Sequence, residues 1–284
     1  MRKQIDVAIV GMGNWGTSLA NGCLASGVPL REVVVRKPAA QFGNLPMVSL
    51  ERAALDAHVI WICVRDDEIA ALADQIALHR GDMTGQIVVH SSGALTAKEL
   101  EAVKRVGARV GSVAPVMSFP SRIPVPLQGT MYAVEGQEEI LETLEELLRK
   151  LGGEPFRIEA EKKALYHAAA TMASPLLLSE ITAAAEMARM AGLPEKLAEK
   201  WVGTLGQATI RNFLQRGSAS SFSGPFFRGD LSTIRLHLQV LGEHPMLKEI
   251  YSALAQYAIE TLPVRRRDGL RQLLRQVQDL PKTL

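Results

Sequence analysis

Cysteine is scarce in this sequence of 284 residues, which contains only Cys23 and Cys63, each flanked by apolar residues. Two cysteines cannot build the dense disulfide framework of a small secreted domain, and neither has a second cysteine at the spacing of metal ligands. The sequence therefore predicts reduced, buried thiols in a cytoplasmic protein, and it predicts no metal site.

An excess of charge of one sign is also absent, since 32 Lys and Arg residues balance 30 Asp and Glu residues to a net charge of +2. So small a net charge gives no argument for binding to nucleic acid or to a membrane surface. The one dense basic run, Arg265 to Arg267, is interpreted as the solvated start of a helix.

No apolar run is long and free of charge. The longest apolar stretch, Ala168 to Ala188, contains Glu180 and Glu186, is rich in alanine and includes Pro175. A membrane-spanning helix needs about 20 predominantly apolar residues and rarely carries acids. The stretch is therefore predicted to be a buried helix and not a membrane span.

The first half of the chain alternates short β-rich runs with helical patterns, which is typical of βαβ units. The predicted strands are Ile5–Val10, Glu32–Val35, His58–Val64, Gln86–Val89, Ala108–Val113 and Met131–Val134. Such apolar runs, without alternation, fit strands that are covered on both faces. The predicted fold class is therefore α/β, with a doubly wound, mostly parallel sheet.

The second half has a different composition, because strand signals cease at about Glu161 and Ala, Leu, Met and Glu dominate. Helices are predicted from Glu161 to Ala191 and from Pro194 to about Leu214, and three more follow the small-residue loop 217–225. The sequence thus predicts an N-terminal domain of residues 1–160 and an all-α C-terminal domain of residues 161–284.

The strongest motif is a GxGxxG sequence that directly follows the first strand and opens a helix. It consists of Gly11, Met12, Gly13, Asn14, Trp15 and Gly16. The first glycine allows the tight turn, the second lets the backbone approach a pyrophosphate, and the third allows close packing of helix and strand. The helix N-terminus favours the phosphates. The motif predicts a Rossmann-like dinucleotide site; the alternative is a glycine turn that serves packing alone.

The end of the second strand discriminates between cofactors. Sites that prefer NAD usually place an acid there, whereas an Arg accommodates the 2′-phosphate of NADP. Here the residues are Arg36 and Lys37, about twenty positions beyond Gly16. The pair predicts NADP(H) and argues against S-adenosylmethionine, while a solvated strand end remains the alternative.

Two further strand ends should face the same crevice. Val64 ends the third of these strands, Arg65 and Asp66 follow it, and all three are predicted to bind cofactor. Ser91 and Ser92 follow the next strand, where their hydroxyls are predicted to contact the nicotinamide or the substrate. Alternatively, these serines cap the following helix.

The long predicted helix carries a polar stripe. Lys163, His167 and Ser174 fall on one face at 100° per residue, and Thr171 borders that face. Apolar neighbours imply burial on most sides, which would lower the pKa values of Lys163 and His167 and suit them to donate a proton. The alternative is a solvated lysine and a hydrogen-bonded core histidine. Pro175 predicts a kink in this helix.

A second cluster runs from Gly224 to Asp230 and contains the sequence Arg-Gly-Asp. Arg228 is predicted to bind a substrate carboxylate, and Asp230 to cap a helix. The alternative is an Arg–Asp pair that fixes the turn. Asp268 is predicted to cap a later helix.

With these motifs, the whole chain resembles a bacterial family of predicted NADP oxidoreductases that join a Rossmann-like domain to a helical domain of unknown function. The resemblance rests on residues 11–16, 64–69, 90–95, 165–170 and 224–230. More distantly, the chain is similar to 6-phosphogluconate dehydrogenase, 2-dehydropantoate reductase and pyrroline-5-carboxylate reductase. The resemblance implies a homodimer formed through the helical domain.

In the 6-phosphogluconate and hydroxy-acid enzymes, a Lys and an Asn four residues apart on the long helix serve acid–base chemistry and substrate binding. Lys163 and His167 have this spacing, with His in place of Asn. Relatives often have His-Pro at Ala114-Pro115 and Asn at Pro175. These departures indicate either a different substrate or lost catalysis.

The sequence therefore predicts an NADP(H)-dependent oxidoreductase that reduces a C=O or C=N bond of a small metabolite, such as a ketopantoate-like keto acid or an imine. The alternative is a non-catalytic NADP(H)-binding sensor. Intact Gly11, Gly13 and Gly16 fit both functions equally.

Overall fold

The computed structural model describes residues 5–38, 41–42 and 45–278. The chain divides into two compact units, Met1–Ser174 and Pro175–Leu284. This division falls inside the long helix, later than the change in composition at residue 161 on which the expected domain boundary rests.

The apolar runs of the first unit form one mostly parallel sheet. Its strands are β1 (Val7–Val10), β2 (Leu30–Val34), β3 (Gln41–Phe42), β4 (Leu45–Val48), β5 (Val59–Ile62), β6 (Ile87–His90), β7 (Arg109–Pro115), β8 (Met131–Gly136) and β9 (Glu154–Arg157). Their order is β3-β4-β2-β1-β5-β6-β7-β8-β9, and only the pairs β3–β4 and β7–β8 are antiparallel. The α/β fold class is confirmed.

Three of these strands, β3, β4 and β9, were not predicted. Pro46 lies in β4 and Pro155 in β9. Proline cannot donate to the ladder, so a short run that contains it gives a weak strand signal, although a sheet edge tolerates it. β9 is such an edge strand.

Apolar cores cover both faces of the sheet, as the unalternating runs predict. Within β1, Val7 and Ile9 belong to one buried cluster, and Ala8 and Val10 to the other. The helices of this unit are α1 (Asn14–Ser26), α2 (Ile69–Arg80), α3 (Glu101–Arg105), α4 (Glu138–Lys150) and α5 (Lys163–Thr171). Successive side chains of a strand point to opposite faces, so β1 is central to both cores.

The second half of the chain is helical where it is described, as predicted. After α5 come a π-helical turn (Met172–Leu176), α6 (Leu177–Met190), α7 (Glu195–Ser221), α8 (Pro225–Arg228), α9 (Leu231–Val240), α10 (Pro245–Thr261) and α11 (Arg267–Gln278). Pro175 lies in the π-helical turn, so the expected break in regular helix occurs there. One core of the second unit joins α9, α10 and α11.

Two local expectations for the helical half are wrong. The predicted loop at 217–225 is helical as far as Ser221, and only Gly217, with φ 73°, breaks the helix within α7. Asp268 is not an N-cap, because α11 begins at Arg267 and places the carboxylate in the first turn. An acid there still favours the helix dipole.

The burial expected for the long helix is also wrong. Leu165 is 77% exposed and Leu178 63% exposed. By length and composition alone, Ala160–Met190 is long and apolar enough to cross a membrane. Of the 18-residue apolar window within it, 11% is buried. A single such helix is weak evidence for a span, since the buried core helix of a soluble protein passes the same test.

Candidate functional site

The glycine loop lies at the centre of the sheet. It follows β1, whose neighbours are β2 on one side and β5 on the other. The chain therefore leaves β1 at the point where the strand order reverses, which is where ligands bind in open α/β sheets. α1 starts at Asn14, so its first N–H groups face the same edge.

The three glycines of the loop have different surroundings. A Cβ on Gly11, whose φ is +107°, would lie 2.5 Å from the Cys63 carbonyl oxygen, and a Cβ on Gly16 would collide with the carbonyl oxygen of Gly11. A Cβ on Gly13 would meet no protein atom within 4 Å. The fold itself requires Gly11 and Gly16, whereas Gly13 borders open space at the helix N-terminus. These residues fit the pyrophosphate of a dinucleotide.

Hydrogen bonds tie the glycine loop to neighbouring segments. The Asn14 side-chain amide donates to the Phe119 carbonyl oxygen at 2.8 Å. The indole N–H groups of Trp15 and Trp61 both donate to the Ser91 hydroxyl, at 2.6 and 2.7 Å. Ser91 thus joins α1 to the end of β6. Sequence reasoning missed Trp61 because its partner lies thirty residues away.

The basic residues at the end of β2 are exposed, and Arg36 pairs with an acid that follows β5. The Arg36 guanidinium lies 3.2 Å from the Glu68 carboxylate, and Arg65 lies 3.5 Å from the same oxygen. Arg65 also pairs with Asp67 at 3.0 Å. Two guanidinium groups therefore converge on one carboxylate, and the same geometry can hold a phosphate. Lys37 is exposed beside them.

Ser92 forms hydrogen bonds within the turn after β6. Its hydroxyl donates to Asp66 at 2.7 Å and accepts the backbone N–H groups of Ala94 and Leu95. Thr96 caps the next short helix by accepting the N–H of Lys98. The following helix is therefore capped by Thr96, so the capping alternative for Ser91 and Ser92 is wrong. Their contact with substrate stays a prediction.

Lys163 is enclosed beneath this turn, with 1% of its surface exposed. Its ammonium group donates to the Ser92 carbonyl oxygen at 3.0 Å and to the Ser112 hydroxyl at 2.5 Å. Burial lowers the pKa of Lys163 to about 8, while the carboxylates of Glu135 and Asp66 act in the opposite direction. A lysine with this pKa can exchange a proton near neutral pH.

His167 lies one helical turn further along α5 and is exposed. A Cβ on Gly93 would lie 2.5 Å from Nδ1 of His167, so the imidazole rests directly on the backbone of Gly93. Lys163 and His167 therefore both reach the Ser92–Gly93 turn. Ser174 is exposed inside the π-helical turn, where the spacing of 100° per residue does not hold.

The Arg-Gly-Asp sequence lies in the second unit. Asp230 is the N-cap of α9 and accepts the Thr233 N–H, and hydrogen bonds from Thr233 and Ser232 lower its pKa. Arg228 is exposed at the end of α8. The predicted cap is thus present, whereas the role of Arg228 in carboxylate binding stays a prediction.

Comparisons with known proteins match both parts of the chain. Residues 2–115 match the model of a Rossmann-like domain, and residues 130–258 match a domain of unknown function, DUF2520. No curated protein matches the sequence.

Solved structures resemble the chain over nearly its whole length. A candidate NADP oxidoreductase from Bacteroides fragilis is 19% identical, with 89% of this chain and 97% of that one covered and a TM-score of 0.71. A reductive aminase from Aspergillus terreus, solved with NADPH and ethyl levulinate, is 15% identical, with coverage of 96% and 99% and a TM-score of 0.64.

Pyrroline carboxylate reductase from Plasmodium falciparum, solved with NADP bound, is 14% identical, with 96% of this chain and 97% of that one covered and a TM-score of 0.61. At these identities the likeness establishes the fold. The two domain matches confirm the family resemblance carried by the sequence motifs: the chain joins a Rossmann-like domain, residues 2–115, to a DUF2520 domain, residues 130–258.

Proposed function

We propose that the chain is an NADP(H)-dependent oxidoreductase that reduces a C=O or C=N bond of a small metabolite. The observation that carries the proposal is a juxtaposition at the carboxyl edge of the sheet. The Ser91 hydroxyl bonds to Trp15 of the glycine loop, and the next two residues contact Lys163 and His167. A cofactor loop and two candidate proton donors thus meet at one turn.

The described residues offer partners for the two phosphate-bearing parts of the cofactor, the pyrophosphate and the 2′-phosphate. The open space at Gly13 and the N-terminus of α1 receive the pyrophosphate. Arg36 and Arg65 bind the 2′-phosphate in place of Glu68, with Lys37 adding positive charge. When bound, the cofactor supplies the hydride. The three solved proteins named above are described as an NADP oxidoreductase or hold NADP or NADPH, which supports this assignment.

Reduction of a carbonyl or imine also consumes a proton. His167 is exposed and lies against Gly93, so it is placed to donate a proton to the reacting oxygen or nitrogen. Lys163 has a pKa of about 8 and holds the Ser92 carbonyl. We assign both residues to proton supply, with His167 nearer to substrate.

The names of two solved neighbours, a pyrroline carboxylate reductase and a reductive aminase, support a carbonyl compound or an imine as the substrate class. We propose a keto acid, such as a ketopantoate-like compound, or an imine, because His167 is placed to donate a proton to a carbonyl oxygen or an imine nitrogen. The experiment is NADPH oxidation followed across a panel of small keto acids, aldehydes and imines. Turnover on one class supports the proposal. Tight NADPH binding without turnover on any class contradicts it and favours the sensor.

Replacing Arg36 with alanine tests the 2′-phosphate assignment. Loss of a charge-assisted hydrogen bond to phosphate costs about 1.5–3 kcal/mol, so the Kd for NADPH should rise roughly 10- to 100-fold. The Kd for NADH should change little. Arg105→Ala, an exposed arginine in the last turn of α3, is the matched control. If Arg36→Ala changes neither the affinity for NADPH nor the affinity for NADH, the assignment is refuted.

We also propose that the chain forms a homodimer through the helical domain. Leu197, Trp201 and Leu205 lie four residues apart on α7 and are each about half exposed, as is Phe213. Residues at this spacing form one stripe, and so large an apolar stripe is rarely left in water. Light scattering should give a dimeric mass, and Trp201→Glu should shift it toward the monomer. A monomeric wild type at micromolar concentration would exclude this proposal.

A further inference from the structure

A chain of buried polar groups lies beneath the turn after β6. The Lys163 ammonium donates to the Ser112 hydroxyl at 2.5 Å, and this hydroxyl donates to the Glu135 carboxylate at 2.8 Å. The ammonium itself lies 3.9 Å from Glu135. All three side chains are buried. The residues come from α5, β7 and β8, so tertiary packing alone brings them together.

Register on the sheet fixes two members of this chain. Ser112 and Glu135 are direct partners across the antiparallel pair β7–β8. Both otherwise lie among apolar strand residues, where a buried charge costs several kcal/mol unless it is paired and hydrogen-bonded. The pairing satisfies that need, and it uses Lys163 as the only cation that the described contacts place on Glu135.

The same network holds the loop after β6 at two points. Lys163 holds the Ser92 carbonyl, and Glu135 accepts the backbone N–H of Ala97 at 3.0 Å. Between these points lies Gly93, on which His167 rests. Movement of either anchor would therefore displace the backbone beneath the imidazole.

We propose that Glu135 is a positioning residue for the reaction: through Ser112 it holds Lys163 protonated against the Ser92 carbonyl, and so fixes the turn on which His167 rests. This inference rests on the proposed function, because the loop matters for activity only if the reaction occurs there. Glu135 does not touch substrate and acts through Lys163.

Two carboxylates from separate segments act on the charge of Lys163. Glu135 of β8 and Asp66, which follows β5, both oppose the lowering of its pKa by burial. His90 of β6 adds no charge near neutral pH, since burial lowers its pKa to about 4. Its Nδ1 accepts the Ser92 N–H, and its Nε2 lies 3.0 Å from the Thr96 carbonyl. Neutralising Glu135 therefore lowers the pKa of Lys163 below about 8.

The test is the Glu135→Gln variant, which keeps the size of the side chain and removes its charge. The alkaline limb of the kcat/KM profile should move to lower pH by roughly one unit or more, as expected when an opposite charge within about 4 Å is lost. In a protein labelled with 13C at the lysine ε-carbon, the NMR titration midpoint of Lys163 should fall by the same amount. Glu138→Gln, an exposed neighbour paired with Arg157, is the control and should move neither quantity.

Two further variants separate positioning from folding. Ser112→Ala removes the bridge at little cost in volume and should shift the Lys163 midpoint in the same direction. In a Lys163→Met background, Glu135→Gln should change kcat/KM by less than about 2-fold, because its partner is gone.

An unmoved midpoint in both Glu135→Gln and Ser112→Ala would overturn the inference. The inference would also be overturned if the wild type is active and Glu135→Gln lowers the Lys163 midpoint but leaves the alkaline limb of kcat/KM in place. If the wild type turns over no substrate, the proposed function fails and this role of Glu135 fails with it, while the NMR result still decides the ionic link.

Discussion

Replacing Gly13 with alanine is expected to weaken NADPH binding by about 10²-fold while leaving the melting temperature unchanged. The added methyl group enters the open space that a pyrophosphate needs, and it displaces about one or two charge-assisted hydrogen bonds of 1.5–3 kcal/mol each. The protein itself tolerates the change, because no atom lies within 4 Å of the new Cβ and φ is −72°. Titration with NADPH and a thermal melt measure the two effects separately.

Gly16→Ala is the matched comparison for this prediction. Its Cβ would collide with the Gly11 carbonyl oxygen, so the variant should lose stability and binding together. Loss of binding without loss of stability in Gly13→Ala, together with loss of both in Gly16→Ala, distinguishes a phosphate-binding loop from a turn that serves packing alone. Wild-type NADPH affinity in Gly13→Ala would mean that the loop serves packing alone.

The second large effect is expected at α5. His167→Ala and Lys163→Met should each reduce kcat/KM by about 10²-fold or more, which is the usual contribution of a positioned proton donor. His167→Ala should leave stability nearly unchanged, because the side chain is exposed. Steady-state kinetics on the substrate found by the panel measure both losses, and a thermal melt accompanies each variant.

The control for these variants is His79→Ala. His79 lies in the last turn of α2, which returns from the carboxyl edge of the sheet, and its ring contacts the Ala53 carbonyl. This variant should retain wild-type kinetics. Wild-type rates in both His167→Ala and Lys163→Met would remove α5 from the mechanism.

The sheet and the glycine loop could be predicted because their signals are local. Continuous apolar runs predict strands that are buried on both faces. Gly11 and Gly16 are needed because neighbouring backbone atoms leave no room for a Cβ at either position. The regular 3.6-residue helical spacing also predicted that Lys163 and His167 share a face of the helix, and both contact the Ser92–Gly93 turn. It failed at Ser174, because Pro175 converts that stretch to a π-helical turn.

The partners in the site could not be predicted, because they come from distant segments. Ser112 and Glu135 read as ordinary strand positions, and only the register of β7 with β8 and the docking of α5 give them a cation to bind. The acid that meets Arg36 comes from the turn after β5. The exposure of the long helix could not be predicted either, since an exposed apolar helix face has the same sequence pattern as a buried one.

The most direct test of the central claim is a titration of the wild-type protein with NADPH and NADH, followed by tryptophan fluorescence. Trp15 lies in the glycine loop and bonds to Ser91, so it reports on a ligand bound there. The account predicts a saturable signal with NADPH and an affinity for NADH that is lower by about 10-fold or more. Absence of binding by either nucleotide would contradict it.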